Sequence, residues 1–202
     1  MSGGIPFNKV ISYWEKKTSE QKKNAVGFAN ELVKQDKNYQ IRFDFIIPKI
    51  DTTLKTLDYG CGIGRYANFF NPDKYIGIDI TKELLHIAIC DNPEYDFKLQ
   101  TIPDLSEFTN IDFDQFFSCT VLQHNTDNGV DKILSSLKKL KPKNLTIVLY
   151  ENTTNAQNIE FVNFRTIKDY KDFIEKYYKI KNWNYYKHII HGHEHSLIIF
   201  KC

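Results

Sequence analysis

The chain changes its hydrophobic rhythm once, near Leu54. Before that point apolar positions recur at helical spacing. Trp14, Ala25, Phe28, Ala29, Leu32 and Val33 share one face among many Lys and Glu, which predicts helix from about Pro6 to Lys37. A second helical stretch, Tyr39 to Ile47, ends at Pro48, because proline disfavours helix at the residue before it. Beyond Leu54 short apolar runs alternate with amphipathic ones. Leu54–Tyr59, Lys74–Ile80, Tyr95–Gln100, Phe113–Leu122 and Asn144–Tyr150 read as strands. Helices are expected at Arg65–Phe70, at Thr81–Cys90 with Thr81 as cap and Glu83 in the first turn, and at Val130–Leu140, stopped near Pro142. A helix at Thr166–Tyr178 and strands at Lys179–Tyr186 and His195–Lys201 close the chain.

Strands and helices alternating at this length imply a mostly parallel sheet with helices on both faces. Only His188–Glu194 separates the last two strands, too few residues for a helical crossover, so they should form an antiparallel hairpin. No internal repeat or low-complexity linker interrupts the pattern. The 202 residues fit one domain, with 1–45 as a helical cap and 50–202 as the core.

Composition narrows the partners. A formal net charge of +2 gives no concentrated basic field, which argues against a dedicated nucleic-acid binder. No apolar run is long enough to span a bilayer, and the N-terminus lacks a charged-then-apolar signal pattern. Cys61, Cys90, Cys119 and Cys202 are widely spaced and read as reduced thiols. A cytoplasmic protein, monomer or homodimer, acting on a small molecule without membrane or nucleic-acid partner is the expectation.

The most informative segment is Asp58-Tyr59-Gly60-Cys61-Gly62-Ile63-Gly64, which joins the first strand to the expected helix at Arg65. Glycines there let a ligand approach the backbone. The dinucleotide fingerprint needs GxGxxG; here the spacing is GxGxG, and Arg65 stands where the third glycine would be. Asp58 just before the loop would repel a pyrophosphate but suits an ammonium group. Asp79, at the end of the second strand, can accept hydrogen bonds from both hydroxyls of a ribose. An adenosyl group joined to an amino acid meets both demands.

Leu57–Gly64 resembles motif I of the class I S-adenosylmethionine-dependent methyltransferases. Tyr75–Asp79 is similar to the second motif of that family, Phe117–His124 to its fourth-strand motif, and Leu145–Tyr150 to its fifth strand. The resemblance covers about residues 54 to 150. It implies a Rossmann-like three-layer sandwich whose mostly parallel seven-stranded sheet ends in the antiparallel hairpin, and S-adenosylmethionine as cofactor. It implies that Asp58, Gly60, Cys61 and Gly62 line the methionine portion, that Asp79 holds the ribose with Ile80 against the adenine, and that Gln100-Thr101-Ile102 borders the adenine. Cys119 and Gln123 would flank the methionine tail, and Asp104 is the nearest acidic residue after the third strand. Trp14 and Arg42 would reach the cofactor from the cap.

Methyl transfer from a sulfonium is an in-line displacement, so the protein mainly aligns a nucleophile and, where needed, removes its proton. His124, after the fourth strand, is the first candidate base, oriented by Asp127; a packing role is the alternative. Glu151 and Arg165 are candidate substrate residues, though Arg165 can equally pair with Glu151 or Asp169. His191, His193 and His195 alternate near the C-terminus; with Gly192 between them they read either as a polar turn or as substrate or proton-transfer residues, His193 foremost, and no metal is expected. The expected activity is methyl transfer to an oxygen or nitrogen of a small molecule, a sugar or sugar nucleotide being preferred on family prevalence. The alternatives are a nucleic-acid or protein methyltransferase, although the Asn-Pro-Pro-Tyr type motif of adenine-N6 enzymes is absent, or a non-catalytic S-adenosylmethionine-binding module.

Overall fold

The computed structural model describes residues 7–24, 37–159, 161–190 and 192–202. The apolar positions Ala25, Phe28, Ala29, Leu32 and Val33, and His191, lie outside the described residues. Seven strands form one sheet: β1 (Thr56–Tyr59), β2 (Tyr75–Asp79), β3 (Asp96–Leu99), β4 (Gln115–Cys119), β5 (Thr146–Asn152), β6 (Asn182–Ile190) and β7 (His193–Lys201). Their order is β3-β2-β1-β4-β5-β7-β6. The first five run parallel, and β7 pairs antiparallel with both β5 and β6. The strand order reverses between β1 and β4, which opens a crevice beyond their carboxyl ends.

Buried strands show their two faces residue by residue. In β5, Ile147 and Leu149 join one apolar cluster, while Val148 and Tyr150 join the other. In β4, Phe116 and Phe117 divide in the same way. This is the period of two expected of strands covered on both sides. The first face is covered by α4 (Asp127–Leu140) through Val130, Ile133, Leu134 and Leu137, and by α5 (Ile167–Glu175) through Tyr170, Phe173 and Ile174. The second carries Tyr66, Ala67, Phe70 and Ile46, the last from α2 (Lys37–Ile46). Two further helices complete the described chain, α1 (Phe7–Asn24) and α3 (Lys82–Asp91). Among the described residues no helix is long and apolar enough to cross a membrane.

Several expected boundaries shift for local reasons. Residues 65–70 form turns and a 3-10 turn at Ala67–Phe69 rather than an α-helix. The fourth strand stops at Cys119 instead of Leu122, because Thr120 takes φ +57, outside the extended region. The hairpin strands reach Ile190 and His193, leaving a turn in which Gly192 has φ +78. Thr81 makes no side-chain cap; its backbone N–H instead donates to Asp79 Oδ1 at 2.8 Å. Helix α4 starts earlier than its apolar face, where Thr126 Oγ1 accepts from Gly129 N, and α5 opens with a Thr166–Asp169 capping box.

Leu134→Ala should cost about 2–5 kcal/mol by opening a void under the sheet, whereas Thr126→Ala should cost only about 1 kcal/mol as a lost cap. Equilibrium urea denaturation of the two variants measures the contrast.

Candidate active site

The crevice beyond β1 and β4 is roofed by the cap helices to make a cavity of about 260 Å³. Its floor is the glycine loop. Gly60 has φ +76, and a Cβ there would lie 2.4 Å from the Val121 side chain. Gly62 has φ +56, and a Cβ would meet nothing within 4 Å, so that position opens onto free space. The loop is pinned to β2 by Gly60 N and Cys61 N, both donating to Ile78 O, and by Gly62 N, donating to Asp79 Oδ2 at 2.9 Å. The Asp79 carboxylate, also bonded by Thr81 N, therefore joins the ends of β1 and β2 while facing the cavity.

Asp58 and Asp79 are both buried, and among the described residues neither forms an ion pair. Asp58 Oδ2 accepts from Tyr75 Oη at 2.6 Å. Burial pushes its carboxyl up to about 7; the charge of Asp79 adds to this and the Tyr75 hydrogen bond opposes it. Burial also raises Asp79, opposed by the Thr81 and Gly62 N–H groups. Two buried acids that face one cavity and pair with no cation among the described residues suit a ligand that brings an ammonium group and a pair of hydroxyls.

The wall comes from the turn after β4. Thr120 lines the cavity in the left-handed region, where a β-branched residue costs about 1–3 kcal/mol. Thr120 N donates to Tyr150 O at 2.7 Å, and the next three backbone N–H groups, of Val121, Leu122 and Gln123, donate to the buried carboxylate of Glu151 at 3.0–3.2 Å. Arg165, also buried, holds the other end: Nη1 donates to Leu122 O and Nη2 to Asn125 O, with an ion pair to Asp127. Burial raises Glu151 to about 7, and the three N–H donors and Arg165 oppose that rise. Glu151 and Arg165, expected to touch substrate, do not line the cavity; their hydrogen bonds are spent on this turn.

The turn delivers His124 to the cavity. Its Nδ1 is 2.7 Å from Phe161 O, an acceptor only, so Nδ1 carries the proton. Nε2 lies 3.2 Å from Gln123 Nε2. The Gln123 amide is oriented by Asn152 N, which donates to Gln123 Oε1 at 3.0 Å, so its NH₂ donates to His124. Burial lowers the His124 pKa, opposed by the Phe161 hydrogen bond. The cap closes on this histidine: Trp14 meets it edge-on at 5.0 Å, and Tyr13 stacks on Phe161 at 4.1 Å.

Of the expected site residues, Asp58, Gly60, Cys61, Gly62, Asp79, Ile80, Cys119 and His124 line this cavity, as do Trp14, Arg42 and Gln100. Ile102 does not; its carbonyl accepts from Gln100 Nε2. Gln123 turns away to orient His124. Asp104 binds Ser106, and Asp127, the expected partner of His124, pairs with Arg165 instead. His193 is exposed at the start of β7, outside the cavity, while His195 is buried and stacks on Tyr150. Among the described residues no three His, Cys, Asp or Glu converge as metal ligands. Sequence reasoning missed Phe7, Val10 and Thr18, although with Trp14 they follow a helical spacing of three and four that would have marked a cavity-facing stripe. It also missed Tyr39, Tyr66 and Thr120. No signal in the chain marks Thr120, because its strain is imposed from β5.

Residues 56–143 match the family model of a methyltransferase domain. No curated protein matches the sequence. Among solved structures, an S-adenosylmethionine-dependent methyltransferase from Anabaena variabilis aligns over 99% of this chain and 98% of its own, with TM-score 0.67 and 16% identity. One from Leishmania major aligns over 96% of this chain and 82% of its own (TM-score 0.69, 14% identity). The magnesium protoporphyrin IX methyltransferase of Synechocystis, solved with bound SAH, aligns over 98% of this chain and all of its own, 100%, at TM-score 0.63 and 14% identity. The fold is that of the Rossmann-like methyltransferases. Residues 56–143 thus match a methyltransferase domain, set in a fold shared with S-adenosylmethionine-dependent methyltransferases.

Glu151→Ala should leave three backbone N–H groups without an acceptor. At about 1–3 kcal/mol each, the loss in unfolding free energy should exceed about 3 kcal/mol in urea. Cofactor affinity should also depend on pH through Asp58. Its carboxyl must be ionised to take an ammonium, so affinity should fall by up to about tenfold per pH unit as pH drops below about 7. Calorimetric titrations between about pH 5.5 and 8.5 check this; Asp58→Asn should bind more weakly and without that dependence.

Proposed function

We propose that this chain is a class I S-adenosylmethionine-dependent methyltransferase acting on an oxygen or nitrogen of a small molecule that enters the cavity beside the turn after β4. The observation that carries the proposal is the closure of the cavity by α1: Phe7, Val10, Trp14 and Thr18 face into it, and Trp14 and Tyr13 dock on His124 and Phe161. A cavity roofed by a helix suits a compact acceptor better than a polymer strand. A sugar or sugar nucleotide remains one acceptor class within this proposal.

S-adenosylmethionine supplies a methyl group already activated on a sulfonium. The residues of the chain bind and orient. Asp79 takes the ribose hydroxyls with its free lone pairs, Ile80 lies against the adenine, and Asp58 receives the ammonium through its open oxygen. Gly60, Cys61, Gly62 and Cys119 line the methionine portion. His124 serves as the base. Its Nδ1 proton is fixed on Phe161 O, which leaves Nε2 as the basic atom, and Gln123 holds the ring until an acceptor proton displaces its amide.

Two measurements test the proposal. Asp79→Ala should weaken S-adenosylmethionine binding by about a hundredfold, since it removes both the ribose contact and the link between the loop and β2. His124→Ala should lower transfer of labelled methyl into a pool of small-molecule metabolites by about a hundredfold or more, with cofactor Kd changed by less than about threefold. Undiminished transfer would remove His124 as the base.

A further inference from the structure

His124 is held from behind as well as from the cavity. Its Nδ1 proton rests on the carbonyl of Phe161, and neither Phe161 nor Tyr13, the ring stacked on it, lines the cavity. Phe161 takes φ +61, in the left-handed region, which is costly for an aromatic residue. The hydrogen bonds around it show what the strained backbone does. Ile159 N donates to Val162 O at 3.1 Å, and Val162 N donates to Ile159 O at 3.0 Å. A trans peptide points its C=O opposite to its N–H, so the bond from Val162 N turns the Phe161 carbonyl away from Ile159 and toward His124. Asn163 fastens this turn to the same stretch of chain: its N donates to Gln123 O at 2.7 Å and its Nδ2 to Asn125 O at 3.1 Å. Phe161 and Asn163 thus engage three successive residues, Gln123, His124 and Asn125.

None of these bonds relieves the backbone of Phe161. Its ring makes the compensating contact. It stacks on Tyr13 of α1, with centroids 4.1 Å apart and planes 17° from parallel, and among the described residues no other aromatic ring meets it. The next residue of α1, Trp14, meets the His124 ring edge-on at 5.0 Å. Stacking of two rings is comparable in size with the cost of a left-handed aromatic residue, so the position lies near balance. With α1 docked, the ring contact offsets the strain and the carbonyl stays aimed at Nδ1. Without that contact the backbone can relax toward the extended region, and the Phe161–Val162 peptide then turns and carries its carbonyl off His124. The Gln123 amide, beside Nε2, still favours the same tautomer. What the carbonyl adds is direction: a bond at Nδ1 fixes the plane of the ring and so the line of Nε2 into the cavity.

We propose that Phe161 is a positioning residue that makes the base conditional on the cap: docking of Tyr13 on its ring holds the strained carbonyl that aims His124. This rests on the reading of His124 as the base and adds the regulation of that site. The histidine is then set for proton removal only while α1 covers the cavity, so the base is active where water is excluded and idle when the roof is off.

The test needs no acceptor. In protein labelled with 15N-histidine, the ring signals of His124 are those missing from His124→Asn, and exchange of the Nδ1 proton with water is measured by NMR. Wild type and Tyr13→Phe should both show a slowly exchanging Nδ1 proton. Phe161→Ala keeps the left-handed strain and loses the ring, so exchange should be at least about tenfold faster. Phe161→Gly loses the ring too, but glycine has no strain to offset, so the slow proton should return. Tyr13→Leu removes the stack from the cap side and should behave like Phe161→Ala. Equal exchange in Phe161→Ala and Phe161→Gly overturns the inference, as does wild-type exchange in Tyr13→Leu. The Phe161 pair leaves α1 unaltered, so it decides the matter even where Tyr13→Leu fails to fold. Transfer of labelled methyl into a metabolite pool should fall about tenfold in Phe161→Ala, with S-adenosylhomocysteine Kd within about threefold of wild type, and Phe161→Gly should recover most of the loss. A Kd weakened about tenfold or more in Phe161→Ala would make Phe161 a support of the cofactor site and overturn the positioning role. Undiminished transfer in His124→Ala would instead remove the base itself, whatever the exchange of its ring proton.

Discussion

The site depends on one buried carboxylate. Glu151, at the end of β5, gathers the backbone N–H groups of Val121, Leu122 and Gln123 and so fixes the path of the chain after β4. Desolvating a carboxylate costs several kcal/mol unless its lone pairs are filled, and here backbone donors fill them. Arg165 completes the grip from the carbonyl end. Between these two buried charges the turn has little freedom. It can hold Thr120 in an unfavourable backbone region and present His124 at one orientation. Strain at the cavity wall is thus balanced by interactions made behind it.

A parallel arrangement shapes the floor. Asp79 ties Gly62 and Thr81 together, so the same carboxylate that faces the cavity also sets the glycine loop at its floor. Asp58 and Asp79 form no ion pair among the described residues, so burial weighs on both carboxyls. The cap adds the third element. Trp14 and Tyr13 rest on His124 and Phe161, so the position of the roof and the orientation of the histidine depend on each other.

The difference between expected and observed roles has a common origin. Asp58, Gly60, Gly62 and Asp79 were legible because they follow strands whose local pattern dictates where they end, and strand ends define the crevice. Glu151 and Arg165 have the residue types of substrate contacts, but their partners lie about 30 and 40 residues away in the chain, at Val121–Gln123, Leu122 and Asn125. Nothing local distinguishes a carboxylate that meets a ligand from one that meets a backbone turn. His193 and His195 differ for a similar reason: cross-strand pairing in the hairpin sends His195 onto Tyr150 and leaves His193 exposed.

By itself the sequence determined the alternation of strands and helices, the parallel sheet with its closing hairpin, and the glycine loop with its two aspartates. Each rests on contacts within a few residues or on a period of two or 3.6, which the chain carries locally. Tertiary structure alone decided the left-handed backbone at Thr120, the capture of Glu151 and Arg165 by the turn after β4, and the tautomer of His124. Those features arise where elements distant in sequence meet in a desolvated space, and there the balance of burial, hydrogen bonding and charge belongs to the assembled fold.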